Sequence, residues 1–354
     1  MSDWLIDGSL AKKRMRGMGR YSFELINFLA NDPINNVIVV VNNRESYVFL
    51  SDEFCTFKNV RLICIPIFFP FFEQIFFPFI RLRFFRSTYV SGGDSYSILS
   101  FFGKNIYLLH DIYFLKNDLF VDRIFHRILG RLYRRSIFYF AIFSARRIVT
   151  VSNFTNLELY EFFPRFRRII ARKVVVVENG TNFHNRRIPL NKREFDLVFI
   201  SGLDPQKRFG WAIEQLENFD KKLRICVIGI EKGSDFPSKH QVYFQGILTA
   251  IEVETCLNNS RVLVVPSIDE SFGVPVIEGL ACGCKVVCSD SGALMSTGGH
   301  FPYRFAPNSQ EAFLSNILLA LTQTEVASVD FNEQFFDFGW SDIFVNSPFA
   351  GNSK

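Results

Sequence analysis

Two carboxylates, Glu270 and Glu278, lie eight positions apart in the stretch SIDESFGVPVIEGLACGCKVV, residues 267–287. The pattern predicts a loop that carries Glu270 and a helix that carries Glu278 about one turn from its start. A carboxylate accepts two hydrogen bonds, so Glu278 suits a ribose diol and Glu270 suits the hydroxyls of a sugar. Spacing alone leaves a second interpretation open, in which both acids only stabilise the positive end of a helix.

The residues between the two acids can bind an anion. Pro275 suits the first position of a helix, where a backbone N–H would lack a partner anyway. The apolar run RVLVVPS, residues 261–267, predicts a buried strand just before this helix. Ligands of open α/β sheets bind at the carboxyl ends of such strands. We therefore expect a phosphate on the backbone amides of three residues: Phe272, Gly273 and Val274.

Short apolar runs alternate with amphipathic helical stretches, which is the pattern of βα units around a parallel sheet. In the first half such runs occur at 4–7, 36–42, 60–66, 105–111, 145–152 and 173–180. A polar stretch at 181–196 interrupts the alternation. After it, runs recur at 197–202, 223–229, 242–246, 261–267 and 285–290. The sequence predicts an N-terminal domain over 1–184, a C-terminal domain over 185–330 and a tail over 331–354 that packs back on the N-terminal domain.

The composition indicates a globular chain of about two domains. Of its 354 residues, 48% are hydrophobic and 21% are charged. The net charge of +5 is too small to indicate nucleic acid, and no nucleic-acid-binding motif occurs. The seven cysteines, an odd number lying mostly in apolar runs, favour a reduced, cytoplasmic chain. We expect neither a signal peptide nor a membrane span, because no uncharged apolar run reaches ~18 residues.

Two segments of the first half combine apolar residues with arginines. Residues 67–86 read IFFPFFEQIFFPFIRLRFFR and include Arg81, Arg83 and Arg86. A predicted helix over 123–135 carries five arginines near i, i+4 spacing: Arg123, Arg127, Arg131, Arg134 and Arg135. A basic stripe beside an apolar one suits an anionic membrane surface, and we expect peripheral contact there. The alternative is an ordinary helix with a solvated basic face and a core-facing apolar face.

The stretch PSIDESFGVPVIEGLACGCKVVCSD resembles the signature of glycosyltransferase family 4, in which two glutamates are separated by seven residues. Glu270 and Glu278 match that pair. Further segments resemble the family in its usual order: RGMGRYSFEL, YLLHDIYFL, IVTVSNFTNLEL, VVVVENGTN and FISGLDPQKRF. The resemblance covers nearly the whole chain. It implies the GT-B fold, an α/β fold of two Rossmann-like domains that face each other across a cleft.

The resemblance also implies roles for individual residues. Glu270 would contact the transferred sugar, Glu278 the ribose, and the amides at 272–274 the diphosphate. Lys207 matches the family's phosphate-binding lysine, and His110 would lie near the sugar and the acceptor. Glycines in the first loop would let the backbone approach the diphosphate; they are Gly17 and Gly19.

Two departures from the family pattern affect the donor site. Many members carry an arginine in a Gly-Arg-Leu triplet ahead of the lysine, where this chain has Ser201-Gly202-Leu203. We expect Ser201 and Gly202 to contact the donor there, and Arg208 to supply the second positive charge. Many members also have a Pro-Glu pair after the next strand, which the segment 291–305 lacks.

The family resemblance implies hexose transfer with retention from a nucleotide-sugar, GDP- or UDP-linked, to a lipid-linked saccharide. We favour mannose, because GMGRY, the EQ-x-x-x-P segment at 73–78 and LDPQKR resemble bacterial mannosyltransferases. We expect a peripheral enzyme on the inner face of the cell membrane, in O-antigen or lipopolysaccharide biosynthesis. Without a D-x-D triplet we expect no metal and no cofactor. The alternatives are a nucleotide-sugar epimerase on the same fold and a degenerate nucleotide-binding protein without catalysis.

Overall fold

The computed structural model describes residues 2–15, 17–93, 96–100, 102–112, 124–186, 188–231 and 238–323. The chain divides into two compact units between Val177 and Glu178, called here the N-terminal and the C-terminal unit. This division lies ahead of the boundary at 184/185 that the polar stretch predicts. Phe183 is buried in the core of the C-terminal unit, so the start of the polar stretch packs there. The tail predicted over 331–354 lies outside the described residues.

The described part of the N-terminal unit contains a seven-stranded parallel sheet in the order β3-β2-β1-β4-β5-β6-β7. Its strands are β1 (Ser2–Asp7), β2 (Asn35–Val41), β3 (Val60–Cys64), β4 (Thr88–Val90), β5 (Asn105–Leu109), β6 (Arg147–Thr150) and β7 (Val174–Val176). The central strands are apolar on both faces because helices cover the two sides of a parallel sheet. The strand order reverses between β1 and β4, which pair in parallel.

Helices connect these strands, as the alternation predicts. They are α1 (Gly17–Ala30), α2 (Arg44–Glu53), α3 (Phe77–Arg83), α4 (Ile124–Ser144), α5 (Asn153–Phe162) and α6 (Arg167–Lys173). The side chains of Asn43 and Ser152 cap α2 and α5 by accepting backbone N–H groups. A π-helical turn, Phe72–Phe76, leads directly into α3.

The described part of the C-terminal unit contains a six-stranded parallel sheet in the order β10-β9-β8-β11-β12-β13. Its strands are β8 (Phe195–Ile200), β9 (Arg224–Ile228), β10 (Gln241–Gly246), β11 (Ser260–Val265), β12 (Lys285–Ser289) and β13 (Tyr303–Phe305). Its helices are α7 (Phe209–Leu216), α8 (Ala250–Asn258), α9 (Val274–Ala281) and α10 (Gln310–Thr322). Here the strand order reverses between β8 and β11.

The prediction of an α/β chain with two parallel, Rossmann-like halves is confirmed. Every apolar run taken as a strand forms one, with ends shifted by a few residues. Sequence reasoning missed β4 and β13, because each has only three residues and too little periodicity to recognise.

Candidate functional site

The predicted donor residues lie at the reversal point of the C-terminal sheet. The strands β8 and β11 are parallel neighbours, so the loops that follow them leave the same edge of the sheet. A backbone hydrogen bond of 3.0 Å from Ile268 N to Gln206 O joins these two loops. Open α/β sheets bind their ligands at such a point, outside the carboxyl ends of the strands.

Lys207 and Glu270 meet across these loops. The Lys207 ammonium Nζ donates to Glu270 Oε1 at 2.6 Å. A short 3₁₀ turn, Pro205–Lys207, places the lysine, and the loop after β11 places the glutamate. The side chains are 26% and 14% exposed, so a ligand can reach both charges. Sequence reasoning predicted both residues, and the structure brings them together.

The anion site predicted at residues 272–274 has a helix N-terminus behind it. Helix α9 begins at Val274, so Pro275 is its second residue rather than its first. Gly273 caps the helix with φ of 90°, a conformation that favours glycine. A side chain there would also collide with Leu294, since an added Cβ would lie 2.5 Å from Leu294 Cδ2. The first amides of a helix lack intrahelical acceptors and carry its positive dipole end, which suits a phosphate.

Glu278 is the fifth residue of α9 and is only 6% exposed. The next residue, Gly279, lets the helix lie close on β11, because an added Cβ would lie 2.5 Å from Leu263 Cδ2. The helix is therefore fixed on the sheet, and the buried Glu278 is fixed with it. A buried carboxylate held on a rigid element suits recognition of a ligand better than a capping role at a solvated helix end.

Within the segment 291–305, which sequence reasoning flagged only as a departure, residues 291–297 hold the loop of Glu270 through hydrogen bonds. Ser291 Oγ donates to Ile268 O at 2.6 Å, and Ala293 N donates to Glu270 O at 3.1 Å. Thr297 Oγ1 donates to Phe272 O. The signal in the sequence was its glycines, since Gly292 has φ of 58° and its open Cα side faces the backbone of Glu270.

Arg208 is directed away from the Lys207–Glu270 pair. Its guanidinium lies 4.1 Å from the centre of the Trp211 ring and donates to Pro307 O. Its backbone has φ of 51°, the one positive value among the described residues other than glycine. Ser201 and Gly202 follow β8 directly, and Ser201 Oγ donates to Gly202 O at 3.1 Å. Ser201, Gly202 and Arg208 are close to Lys207 in the sequence. The contacts described for the Ser201 and Arg208 side chains do not include the Lys207–Glu270 pair.

The predicted residues of the N-terminal unit follow strands β1 and β5 in the chain. His110 directly follows β5 and is buried, which lowers its pKa to about 4 and makes it neutral at pH 7. The Tyr21 ring meets the imidazole edge-on, with centroids 4.9 Å apart. Gly17 opens α1 with free space at its Cα. Gly19 has a packing reason to be glycine, since an added Cβ would lie 2.3 Å from Leu10 O.

The described residues include no group of three or more His, Cys, Asp or Glu side chains arranged to hold a metal ion. None of the helices in the described ranges combines the length and apolar character needed to cross a bilayer. The expected absence of a metal from the reaction stays a prediction.

Residues 181–333 match the family model of "Glycosyl transferases group 1". This span begins just after the unit boundary and contains Lys207, Glu270 and Glu278. The finding supports a glycosyltransferase of group 1 through the C-terminal unit, the part of the chain that carries the ion pair.

Curated relatives give the same indication at low identity. An uncharacterized glycosyltransferase of Methanocaldococcus jannaschii is 26% identical over 166 residues, which is 45% of this chain and 44% of the relative. O-antigen chain mannosyltransferase B of Escherichia coli is 22% identical over 223 residues, which is 56% of this chain and 58% of the relative. The chain thus spans about half the length of the curated relatives that it matches.

A solved structure extends the likeness to both units. HepE of Anabaena, crystallised in complex with UDP, has a TM-score of 0.67 and 15% identity and covers 98% of this chain and 100% of its own. At this identity the likeness shows the fold alone. Together with the two parallel sheets it confirms the predicted GT-B fold class.

Proposed function

We propose that this protein is a retaining glycosyltransferase of family 4 that transfers a hexose, with mannose favoured, from a nucleotide-sugar to a lipid-linked saccharide. The proposal rests on the contact between Lys207 and Glu270, which lies in the loop before the N-terminus of α9. Glu278 is buried within that helix. In this proposal Lys207 binds the diphosphate, Glu270 binds the sugar and Glu278 binds the ribose. The O-antigen mannosyltransferase among the relatives supports a role in surface polysaccharide assembly.

The diphosphate is the leaving group, so negative charge accumulates on it as the bond to the sugar breaks. Lys207 and the N-terminal amides of α9 supply fixed positive charge at that point, which is the largest contribution expected of such a site. Glu270 neutralises Lys207 in this ion pair. We propose that the diphosphate replaces Glu270 as the partner of the Lys207 ammonium. Glu270 then accepts hydrogen bonds from the sugar hydroxyls.

His110 is proposed to act as a neutral hydrogen-bonding group toward the sugar or the acceptor. Burial keeps its pKa far below neutrality, so it donates from one ring nitrogen and accepts at the other. It supplies no positive charge to the leaving group at neutral pH. Lys207 and the N-terminus of α9 supply that positive charge in our proposal. We also propose that the donor is contacted by the backbones of Ser201, Gly202, Gly17 and Gly19.

The direct test is transfer by the purified chain. Radiolabelled GDP-mannose, UDP-glucose, UDP-galactose and UDP-N-acetylglucosamine are each incubated with the protein and a lipid-linked saccharide extract, and the lipid phase is counted. We expect label in the lipid phase from one donor, with GDP-mannose first. Glu270→Ala should abolish that transfer while UDP or GDP still binds. Conversion of a donor to its epimer without any acceptor would instead support the hypothesis of a nucleotide-sugar epimerase. Absence of turnover with every donor would refute the proposal.

Peripheral membrane contact is a second part of the proposal, and it rests on what we call the aromatic surface. This surface consists of exposed apolar side chains in α3 and the residues on either side of it, namely Phe68, Phe71, Phe76, Phe79 and Phe85, and in α4, namely Leu129, Leu132, Phe140 and Phe143. Phe69 and Tyr133 connect the two groups, with ring centroids 5.6 Å apart. A soluble protein rarely exposes so many large apolar side chains together without a binding purpose.

The arginines beside the aromatic surface are fewer than the sequence predicts. Arg81 is fully buried and donates to the carbonyls of Phe84 and Phe102, so it cannot face a membrane. Arg83, Arg86 and Arg134 are exposed and are available to anionic headgroups. Arg123 and the side chains of Arg127 and Arg131 lie outside the described residues.

Vesicle flotation tests the membrane part. We expect the protein to bind vesicles containing phosphatidylglycerol more tightly than neutral vesicles of phosphatidylcholine. Since burying one phenylalanine contributes about 1.5–3 kcal/mol, the pair Phe68→Ser and Phe79→Ser should lower partitioning by about tenfold or more. The matched control is Leu318→Ser with Leu319→Ser, two exposed apolar residues of the C-terminal unit. Equal flotation of both double variants would argue against the aromatic surface as the contact.

A further inference from the structure

A group of basic side chains lies around α6, and the sequence patterns that predict membrane contact do not include it. The segment 146–173 carries seven basic residues and only two acids, Glu158 and Glu161. Its basic residues are Arg146, Arg147, Arg165, Arg167, Arg168, Arg172 and Lys173. Contacts within the N-terminal unit occupy some of these side chains and leave others exposed, so the structure decides which of them can meet a partner.

Two of the basic residues attach α6 to its neighbours. Lys173 Nζ donates to Ile142 O and Phe143 O at 2.7 and 2.8 Å, at the C-terminal end of α4. The last carbonyls of a helix lack intrahelical donors and carry its negative dipole end, so a cation is favourable there. Arg147, the first residue of β6, donates from Nη1 to Arg172 O at 3.3 Å. These bonds hold α6 beside the end of α4.

Three arginines in and before α6 remain exposed, namely Arg165, Arg168 and Arg172. No ion pair joins any of them to another residue in the described ranges. Ile170 of the same helix is buried in the core. Successive residues of an α-helix are about 100° apart, so the residues two positions before and after Ile170 lie on the opposite side of the helix. Arg168 and Arg172 therefore face away from the sheet.

Helices α3, α4 and α6 cover the same face of the N-terminal sheet. One core cluster contains Phe77 of α3, Phe138 of α4 and Ile170 of α6, together with Tyr89 and Tyr107 of the sheet. Because the three helices share their inner side, their exposed side chains belong to one outer layer. The three arginines and the aromatic surface are both parts of that layer.

A ring contact joins the aromatic surface to the arginines. Phe143, a member of the aromatic surface at the end of α4, is 58% exposed. Its ring lies 5.5 Å from the ring of Phe166, measured between centroids, and Tyr139 of α4 lies 6.0 Å from the same ring. Phe166 stands in the chain between Arg165 and Arg168. The apolar surface of α4 thus continues directly into the basic surface of α6.

We propose that Arg165, Arg168 and Arg172 bind the phosphate headgroups of anionic phospholipids, an inference that rests on the membrane contact of the proposed function. A guanidinium donates two parallel hydrogen bonds to phosphate oxygens, and its charge is attracted by an anionic bilayer surface. The exposed aromatic side chains beside the arginines can enter the boundary of the acyl chains. A nucleic acid would match the arginines but would leave Phe140 and Phe143 uncovered, so a bilayer fits the combined surface better.

The experiment measures partitioning of the protein onto phosphatidylcholine vesicles with increasing fractions of phosphatidylglycerol. The test variant combines Arg165→Gln, Arg168→Gln and Arg172→Gln, which removes three charges from exposed positions. One basic residue near an anionic surface raises partitioning about fivefold, so the triple variant should bind at least about tenfold more weakly at low salt. The Debye length falls from about 10 Å at about 0.1 M salt to about 3 Å at about 1 M, so high salt should abolish this difference.

Two matched variants control for charge and fold. Lysine at the same three positions retains the charge and should partition as the wild type does. The second control removes three exposed charges of the C-terminal unit and should affect partitioning far less; it combines Lys192→Gln, Lys221→Gln and Lys222→Gln. Melting temperatures verify that each variant is folded. If the arginine triple variant does not fold, Arg168→Gln alone decides the question, with an expected loss of about fivefold.

The outcomes separate this inference from the proposed function. If the wild type binds no vesicles, the proposed membrane contact fails and this inference fails with it. If Phe68→Ser with Phe79→Ser weakens binding while the folded arginine variant partitions as the wild type does, this inference alone is overturned. Equal losses in the two triple glutamine variants would overturn it too, because net charge would then explain them. Tighter binding of an RNA oligonucleotide than of vesicles, lost in the arginine variant, would assign the surface to nucleic acid instead. None of these measurements requires a sugar donor, so a failure of glycosyl transfer is detected separately.

Discussion

The Nζ atom of Lys207 lies 2.6 Å from Oε1 of Glu270, at the carboxyl ends of two adjacent parallel strands of the C-terminal unit. Residues 63 positions apart in the chain thus form one ion pair. Partial exposure of both side chains keeps the pair open to exchange with a ligand. We propose that the lysine of this pair binds a diphosphate and that the glutamate binds a sugar.

Lys207→Met should weaken binding of the donor nucleotide. A hydrogen bond between charged groups contributes about 1.5–3 kcal/mol, so the dissociation constant should rise about tenfold or more. In this variant the negative charge of Glu270 is no longer neutralised, so it repels a diphosphate nearby. Isothermal titration calorimetry measures the change, with Lys222→Met as a control that removes an exposed lysine of the same unit. Equal affinities of the two variants would contradict a role for Lys207.

Gly273→Ala should impair the anion site more than it impairs folding. A residue other than glycine in the left-handed region costs about 1–2 kcal/mol, and the added Cβ also meets Leu294 at 2.5 Å. Gly299→Ala is the matched control, since Gly299 has φ of 59° and open space around it. Both variants should lose stability in urea denaturation, and Gly273→Ala should lose more because only its added Cβ meets another side chain. Only Gly273→Ala should weaken nucleotide binding, and unaltered binding there would show that the loop at 272–274 does not hold the ligand.

Arg193→Met should destabilise the C-terminal unit. The guanidinium is buried and donates to Ile188 O, Ser260 O and Cys282 O at 3.1, 2.8 and 3.0 Å. Removing it leaves several buried carbonyls unsatisfied, which should cost about 3 kcal/mol or more of unfolding free energy. Arg224→Met is the control, because that arginine forms an exposed ion pair with Glu194 worth about 1 kcal/mol at most. Similar losses in the two variants would disprove the anchoring role.

The stability of the protein should depend on pH through Glu73. Its pKa is raised from 4.5 to about 8, so between these values the folded chain binds a proton that the unfolded chain releases. The free energy of unfolding should therefore fall as pH rises from about 4.5 to about 8. Glu73→Gln removes this titration, and its stability advantage over the wild type should grow across that window. Thermal melting at pH 5, 6, 7 and 8 checks this, and parallel curves for variant and wild type would count against a buried, neutral Glu73.

Much of this fold follows from periodicity. Runs such as 36–42 and 261–267 are apolar throughout, which indicates strands covered on both faces, and they form β2 and β11. The short strands β4 and β13 escape such reasoning because tertiary pairing with β1 and β12 decides them.

The candidate site was partly predictable for the same reason. Glu270, Glu278 and Lys207 lie in segments of recognisable spacing, and strand order places two of those segments side by side. Ser291, Ala293 and Thr297 hold the backbone of the Glu270 loop, and apart from the glycines of their segment nothing in the local sequence predicts these hydrogen bonds. The direction of Arg208 depends on Trp211 and Pro307, which spacing cannot show.

Burial also separates residues that look alike in the sequence. Arg81, Arg83 and Arg86 are equivalent members of a basic aromatic segment, yet Arg81 is buried and the other two are exposed. Glu73 reads as a single acid in the same segment, and only the structure shows its contact with Tyr133.

The central claim is that the C-terminal unit binds a nucleoside diphosphate through α9, and calorimetric titration with UDP and with GDP, without metal, tests it most directly. We predict saturable binding of one nucleotide by the wild type, with GDP preferred for a mannosyl donor. We also predict a dissociation constant at least about tenfold higher in Glu278→Ala, because a buried carboxylate bound to the ribose is lost. Binding of neither nucleotide by folded wild-type protein, or an unchanged dissociation constant in Glu278→Ala, would contradict the account.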